Sequence, residues 1–123
     1  MVIAIALIGI LSSLSIPMYL DHLTRADRLQ AELALTRLAG AMEQYYLEHD
    51  TYEGASLSQL GMPANIGPNH YQLDIASATS QGYSLDAIPV NLQAKRDVAC
   101  GTLSFNSSGQ KKVSGTAGLN NCW

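Results

Sequence analysis

The first twenty residues, MVIAIALIGILSSLSIPMYL, hold no charged side chain. That argues against a cleaved signal peptide, which carries positive charge ahead of its apolar run and a small-residue cleavage site after it. Cysteine is scarce: two in 123 residues, with no CxxC pair, and two lone thiols do not make a zinc set. Histidine is scarce as well. His22 and His49 stand 27 positions apart on one helical stretch and cannot share a ligand, so they and His70 are read as surface residues. GxSxG, HExxH, P-loop and GxGxxG patterns are all missing. The expectation is a protein that is not an enzyme and takes no cofactor or metal.

What is present divides into three stretches. A chain of this length supports one domain plus an extension. Its net charge of −3, from 7 Lys and Arg against 10 Asp and Glu, gives no overall pull toward nucleic acid. The charge is uneven, however. Residues 21–94 carry three cations against nine acids, while residues 95–123 carry Lys95, Arg96, Lys111 and Lys112 against Asp97 alone.

Residues 1–20 are apolar over the ~20 residues that a membrane-spanning helix needs. Two weak points interrupt them. Glycine costs a helix ~1 kcal/mol and an interior proline ~3 kcal/mol, so Gly9 and Pro17 mark a segment that can kink or unwind. Ser12, Ser13 and Ser15 lie between them and can bond freed carbonyls. Residues 21–49 continue as an amphipathic helix, with Ala31, Leu35, Leu38, Met42 and Tyr45 or Tyr46 as an apolar stripe. Asp21 with Arg25, and Arg28 with Glu32, are spaced as exposed i,i+4 pairs. A rod of residues 1–49 would be ~73 Å long at 1.5 Å per residue. A small head cannot bury it, so its first half must find lipid or other copies of itself.

Residues 50–69 read as a connecting loop and residues 70–123 as strands and turns. His70–Ile75 and Tyr83–Ile88 alternate, Gly101–Phe105 is a third strand, and a fourth centres on Lys111–Val113. The economical architecture is α+β: a long N-terminal helix laid on a small antiparallel sheet. Tyr45, Tyr46 and Tyr52 fit the junction of helix and sheet. An even cysteine count in a chain that looks exported suggests one Cys100–Cys122 disulfide, which would make a stapled C-terminal loop.

The run Ala4-Ile5-Ala6-Leu7-Ile8-Gly9-Ile10-Leu11 through Ile16-Pro17-Met18-Tyr19 resembles the N-terminal helix of type IV pilins and related pseudopilins. The layout beyond it is similar too: a long helix, Tyr-Tyr near its end, a loop, a short sheet and two C-terminal cysteines. The resemblance implies residues 1–20 as membrane and filament-core helix and 21–123 as head, and makes the Cys100–Cys122 loop the family's D-region. The terminal Cys-Trp looks more like small type IVa pilins than secretion pseudopilins. The family's processed, methylated N-terminus is a Phe-Thr-Leu-Ile-Glu type segment after a cleavage-site Gly. Met1 stands where that segment would have just ended, and the expectation is a chain that lacks its first few residues.

The function so implied is assembly. The subunit would rest in the bacterial inner membrane, then polymerise with copies of itself or other pilins, by inner-membrane assembly machinery, into an extracellular pilus serving adhesion, twitching motility or DNA uptake. One alternative is a DNA-binding competence pilin, with Lys95, Arg96, Lys111 and Lys112 as the candidate contacts. The other is a pseudopilin of a type II secretion system, which the disulfide disfavours. Here the basic end is read first as a solvated loop, since the rest of the chain repels phosphate. Asn106-Ser107-Ser108 matches a glycosylation sequon by chance.

Overall fold

A computed structural model describes the backbone from Val2 and the side chains from Tyr19 onward. The first helix, α1, spans Val2–His49. The expectations placed on residues 1–18, which are membrane insertion, filament-core packing and a kink between Gly9 and Pro17, lie outside the described residues. Among those described, no helix is long and apolar enough to cross a membrane. From Tyr19 the helix runs on unbroken, because no proline interrupts it and the ~1 kcal/mol cost of Gly40 is outweighed by packing of the helical stripe. It stops at Asp50, whose left-handed backbone (φ 58°) turns the chain. There the Asp50 N–H still donates to the Tyr46 carbonyl at 2.7 Å.

Five strands follow: β1 (Asn65–Ile66), β2 (Tyr71–Ala78), β3 (Tyr83–Pro89), β4 (Leu103–Asn106) and β5 (Lys111–Val113). They pair antiparallel in chain order, each strand beside its sequence neighbour. Two short helices decorate the sheet, α2 (Asn91–Arg96) between β3 and β4 and α3 (Leu119–Cys122) at the end. The register sets Leu73 opposite Ala87, Leu85 opposite Phe105 and Leu103 opposite Val113, so one face of the sheet is apolar. That face meets the helical stripe. Ala31, Leu35, Leu38 and Met42 are fully buried against Tyr71, Leu85, Ala87 and Leu103. Each such leucine contributes roughly 1.5–3 kcal/mol by leaving water.

The α+β architecture, the helical stripe and the four expected strands are therefore present. Three elements differ from the sequence reading. The 50–69 connection holds β1, and α2 and α3 stand where only loop was expected. These pieces are two to six residues long, too short to leave a periodic signal. The third strand starts two residues late because Gly101 is left-handed (φ 69°). Two of the junction tyrosines meet: Tyr46 lies 4.7 Å from Tyr52 with the rings tilted, and Tyr52 meets Tyr83 edge-on at 5.0 Å, while Tyr45 lies against His49.

Candidate functional site

Two parts of the head gather polar chemistry, and α2 organises the first. Asp97, which ends α2, is nearly sealed from solvent and would be costly there alone. Arg28 of α1 meets it with two parallel bonds, Nε to Oδ2 and Nη2 to Oδ1, both at 2.8 Å. The hydrogen bond to Asp97 raises the guanidinium above its ordinary pKa. The Tyr71 hydroxyl donates to the same carboxylate at 3.3 Å, and burial drives its pKa far above the usual phenol. Gln93, with no exposed surface, donates from Nε2 to the Tyr71 hydroxyl at 2.9 Å and to the Thr24 carbonyl at 3.1 Å. Its Oε1 is buried without a partner.

The expected exposed pair of Arg28 with Glu32 is therefore not made. Arg28 spends its fork on Asp97, because the more deeply buried carboxylate needs the partner more than the partly buried Glu32 does. Asp21 and Arg25 do pair, at 3.2 Å on the surface. His70 also departs from expectation: it is half-buried and faces Asp27 at 3.6 Å. Sequence reasoning missed Asp97 and Gln93. The one available signal was Asp97 itself, the sole acid among residues 95–123.

The C-terminal loop is the second part. Cys100 and Cys122 are bonded, with Cα atoms 5.7 Å apart. Inside the loop Gly115 lies so close to the Ala99 carbonyl that a Cβ would overlap it. This approach lets the Gly115 N–H donate to the Cys100 carbonyl at 2.8 Å, and Ala117 N–H to the Ala99 carbonyl at 2.9 Å. The loop returns Trp123 to the sheet edge beside Phe105, 6.3 Å away, and Lys111 Nζ sits 5.4 Å over the indole.

The four basic candidates are all exposed but do not form one patch along α1. Arg96 closes a surface hollow with Leu20, Asp21 and Thr24, and Lys95 precedes it in the last turn of α2. Lys111 acts instead on Glu32, eight residues or ~12 Å further along the helix. Burial raises the Glu32 pKa, with Arg28 and Lys111 opposing the rise. Lys112 faces the other side of the sheet, opposite Ser104, whose hydroxyl donates to Asp86 at 2.7 Å. No group of acids, histidines and cysteines suited to a metal occurs among the described residues.

An apolar groove of about 590 Å³ lies between α1 and the 61–67 loop, lined by Leu33, Ala34, Met62 and Ile66 among others. A more polar one of about 380 Å³ lies at the end of α1, where the Tyr45 and His49 rings stack at 4.0 Å. Neither collects a nucleophile with a base.

No curated protein matches this chain. Among solved structures, the chain is similar to the non-core minor pilin PilV of Neisseria meningitidis, at 22% identity over 82% of this chain and 94% of that one (TM-score 0.62). It is also similar to a type IV pilin from Shewanella oneidensis, at 25% identity over 81% of this chain and 97% of that one (TM-score 0.55). A family model described as "Type IV minor pilin ComP, DNA uptake sequence receptor" matches residues 17–104, which include α2 and stop short of Lys111 and Lys112. With most of its length so matched, and a long helix on an antiparallel sheet closed by a C-terminal disulfide, the chain belongs to the ComP family of type IV minor pilins.

Proposed function

We propose that this chain is a minor pilin that enters a type IV filament by its N-terminal helix and holds DNA at the β5 end of its sheet. One observation carries the DNA part: β5 is the last strand of the sheet among the described residues, with α3 packed beside it, and there Lys111 stands over the half-exposed ring of Trp123 with Lys112 next in the chain. An aromatic face takes a base by stacking, and a neighbouring cation takes a phosphate. The family description, a receptor for a DNA uptake sequence, raises this reading above the solvated-loop one.

In the same reading residues 1–20 hold the subunit in the inner membrane before assembly. Moving that helix from lipid into a bundle of like helices exchanges one apolar surrounding for another, so packing can tip the balance. Gly9 and Pro17 let it bend as it does so. Few cations on a chain of net charge −3 imply weak binding, and the two lysines imply a shallow salt slope of about −2.

The test compares the parent with Lys111→Gln/Lys112→Gln for duplex and single-stranded DNA binding over a salt series, and for filament assembly. Loss of binding with assembly intact supports the proposal. Equal binding by both proteins moves the DNA contact away from β5, and no binding by the parent at physiological salt leaves the chain a structural subunit only. That second reading has its own support. Asp74 stands opposite Asp86 on the outer sheet face, where Lys112 also lies, and these acids repel phosphate.

A further inference from the structure

We propose that α2 is a lipid-contact collar at the base of the head, by which Lys95 and Arg96 rest on anionic headgroups before the subunit enters a filament. The inference rests on the reading of residues 1–20 as a membrane anchor. Its own observation is where the fold places α2.

Gln93 bonds the Thr24 carbonyl and Asp97 bonds Arg28, so α2 is held against the first turns of the head helix. Thr24 is only four residues, ~6 Å, beyond Leu20, where the apolar run ends. Arg96 reaches that boundary directly, sharing a hollow with Leu20 and Asp21. The charge balance there is positive by one, with Asp21, Asp27 and Asp97 against Arg25, Arg28, Lys95 and Arg96. Asp21 pairs with Arg25, Asp97 with Arg28 and Asp27 faces His70, while among the described residues Lys95 and Arg96 have no ion-pair partner.

The surrounding apolar side chains are exposed beyond what the head needs. Val98 is 68% exposed and Leu92 56%, flanking the two cations on α2; Tyr19 is 62% exposed and Leu20 46% at the end of the run. Tyrosine and long cations at the end of an apolar helix are what an interface accommodates, the ring at headgroup level and the charges reaching outward. A DNA duplex would take the charges but gives Leu92 and Val98 nothing to cover them. A membrane surface takes both.

Such a collar would fix the tilt and rotation of the head over the bilayer, and would release as the helix is drawn out. It also separates Lys95 and Arg96, which face lipid, from Lys111 and Lys112 on β5, which point to opposite faces of the sheet.

The test uses the full chain in phosphatidylcholine vesicles with and without about one-third phosphatidylglycerol, read by flotation and by amide exchange of residues 91–98. Two cations near an anionic surface bias the contact by about 30-fold at low salt, roughly fivefold each. The expected result is exchange of α2 amides slowed several-fold in anionic vesicles only, reversed by high salt. Lys95→Gln/Arg96→Gln should abolish the difference, and Lys111→Gln/Lys112→Gln should keep it. Equal α2 exchange in the two lipids, or slowing that survives Lys95→Gln/Arg96→Gln, overturns the collar while flotation still reports the anchor. Failure to float with either vesicle overturns the anchor reading and the collar with it. A Lys95→Gln/Arg96→Gln variant that loses DNA binding but keeps parental exchange assigns these cations to DNA and also overturns the proposal.

Discussion

Arg28 and Asp97, 69 positions apart, are joined by a two-bond fork that ties the head helix to α2 at the point where the disulfide loop begins. The Cys100 and Gly101 N–H groups both donate to the Asp97 carbonyl, so one residue anchors helix, α2 and loop together. Removing one partner strands a buried charge. Asp97→Asn should therefore cost about 3 kcal/mol. Exposed Arg25–Asp21, by contrast, should contribute ~0–1 kcal/mol when broken. Replacing both partners, Arg28→Met with Asp97→Leu, should recover much of the loss. Urea midpoints of the four proteins decide it; an Asp97→Asn midpoint equal to the parent's would reduce the fork to an ordinary surface pair.

The Cys100–Cys122 bond closes a loop across 22 positions, which on the loop-entropy model stabilises the fold by roughly 3.5 kcal/mol. Cys100→Ser with Cys122→Ser should lower the melting temperature and expose the last residues to protease first. Non-reducing peptide mapping of protein from its native location should return the two cysteines as one linked peptide. Recovery of both as free thiols would count against the loop as a staple.

Gly115→Ala should be a severe change for so small a substitution. The added methyl group meets the Ala99 carbonyl, a backbone atom that cannot swing aside as a side chain would. Overpacking of this kind costs about 1–3 kcal/mol, and here it would also part the Cys100 and Ala99 hydrogen bonds. Gly40→Ala, in open space on the helix, should instead raise stability by ~0.5–1 kcal/mol. Melting curves of both variants that shift the same way would contradict this assignment.

Glu32 provides a pH test. Burial raises its pKa in the folded state, so the fold prefers its protonated form. A raised carboxyl contributes stability that is full below the ordinary carboxylate pKa and lost as pH rises through the folded value. Glu32→Gln should then melt slightly higher than the parent at pH 7, and the gap should close below about pH 4. A variant less stable than the parent at pH 7 would mean that attraction to Arg28 and Lys111 outweighs burial.

The helix and the strands were legible because they repeat. Ala31, Leu35, Leu38 and Met42 recur at helical spacing, and Tyr83, Leu85 and Ala87 at strand spacing, so each declares its buried face locally. The short elements declare nothing. Asn91–Arg96 looks like a basic loop in sequence, and only its bonds to Thr24 and Arg28 make it a fixed platform. Arg28 was misassigned for a related reason: Glu32 is a neighbour in sequence, whereas Asp97 becomes one only after the sheet closes.

By itself, then, the sequence determined an uncharged N-terminal run, an amphipathic helix, a pattern of strands and a pair of cysteines, all of them properties of spacing and composition. Tertiary structure decided how the basic residues are divided. It placed Arg96 beside Leu20, set Lys111 over Trp123 and sent Lys112 to the opposite sheet face. Spacing along a chain fixes which way a side chain points within its own element. Which charges share a surface depends on contacts between residues tens of positions apart, and those exist only once the core of α1 and the sheet has formed.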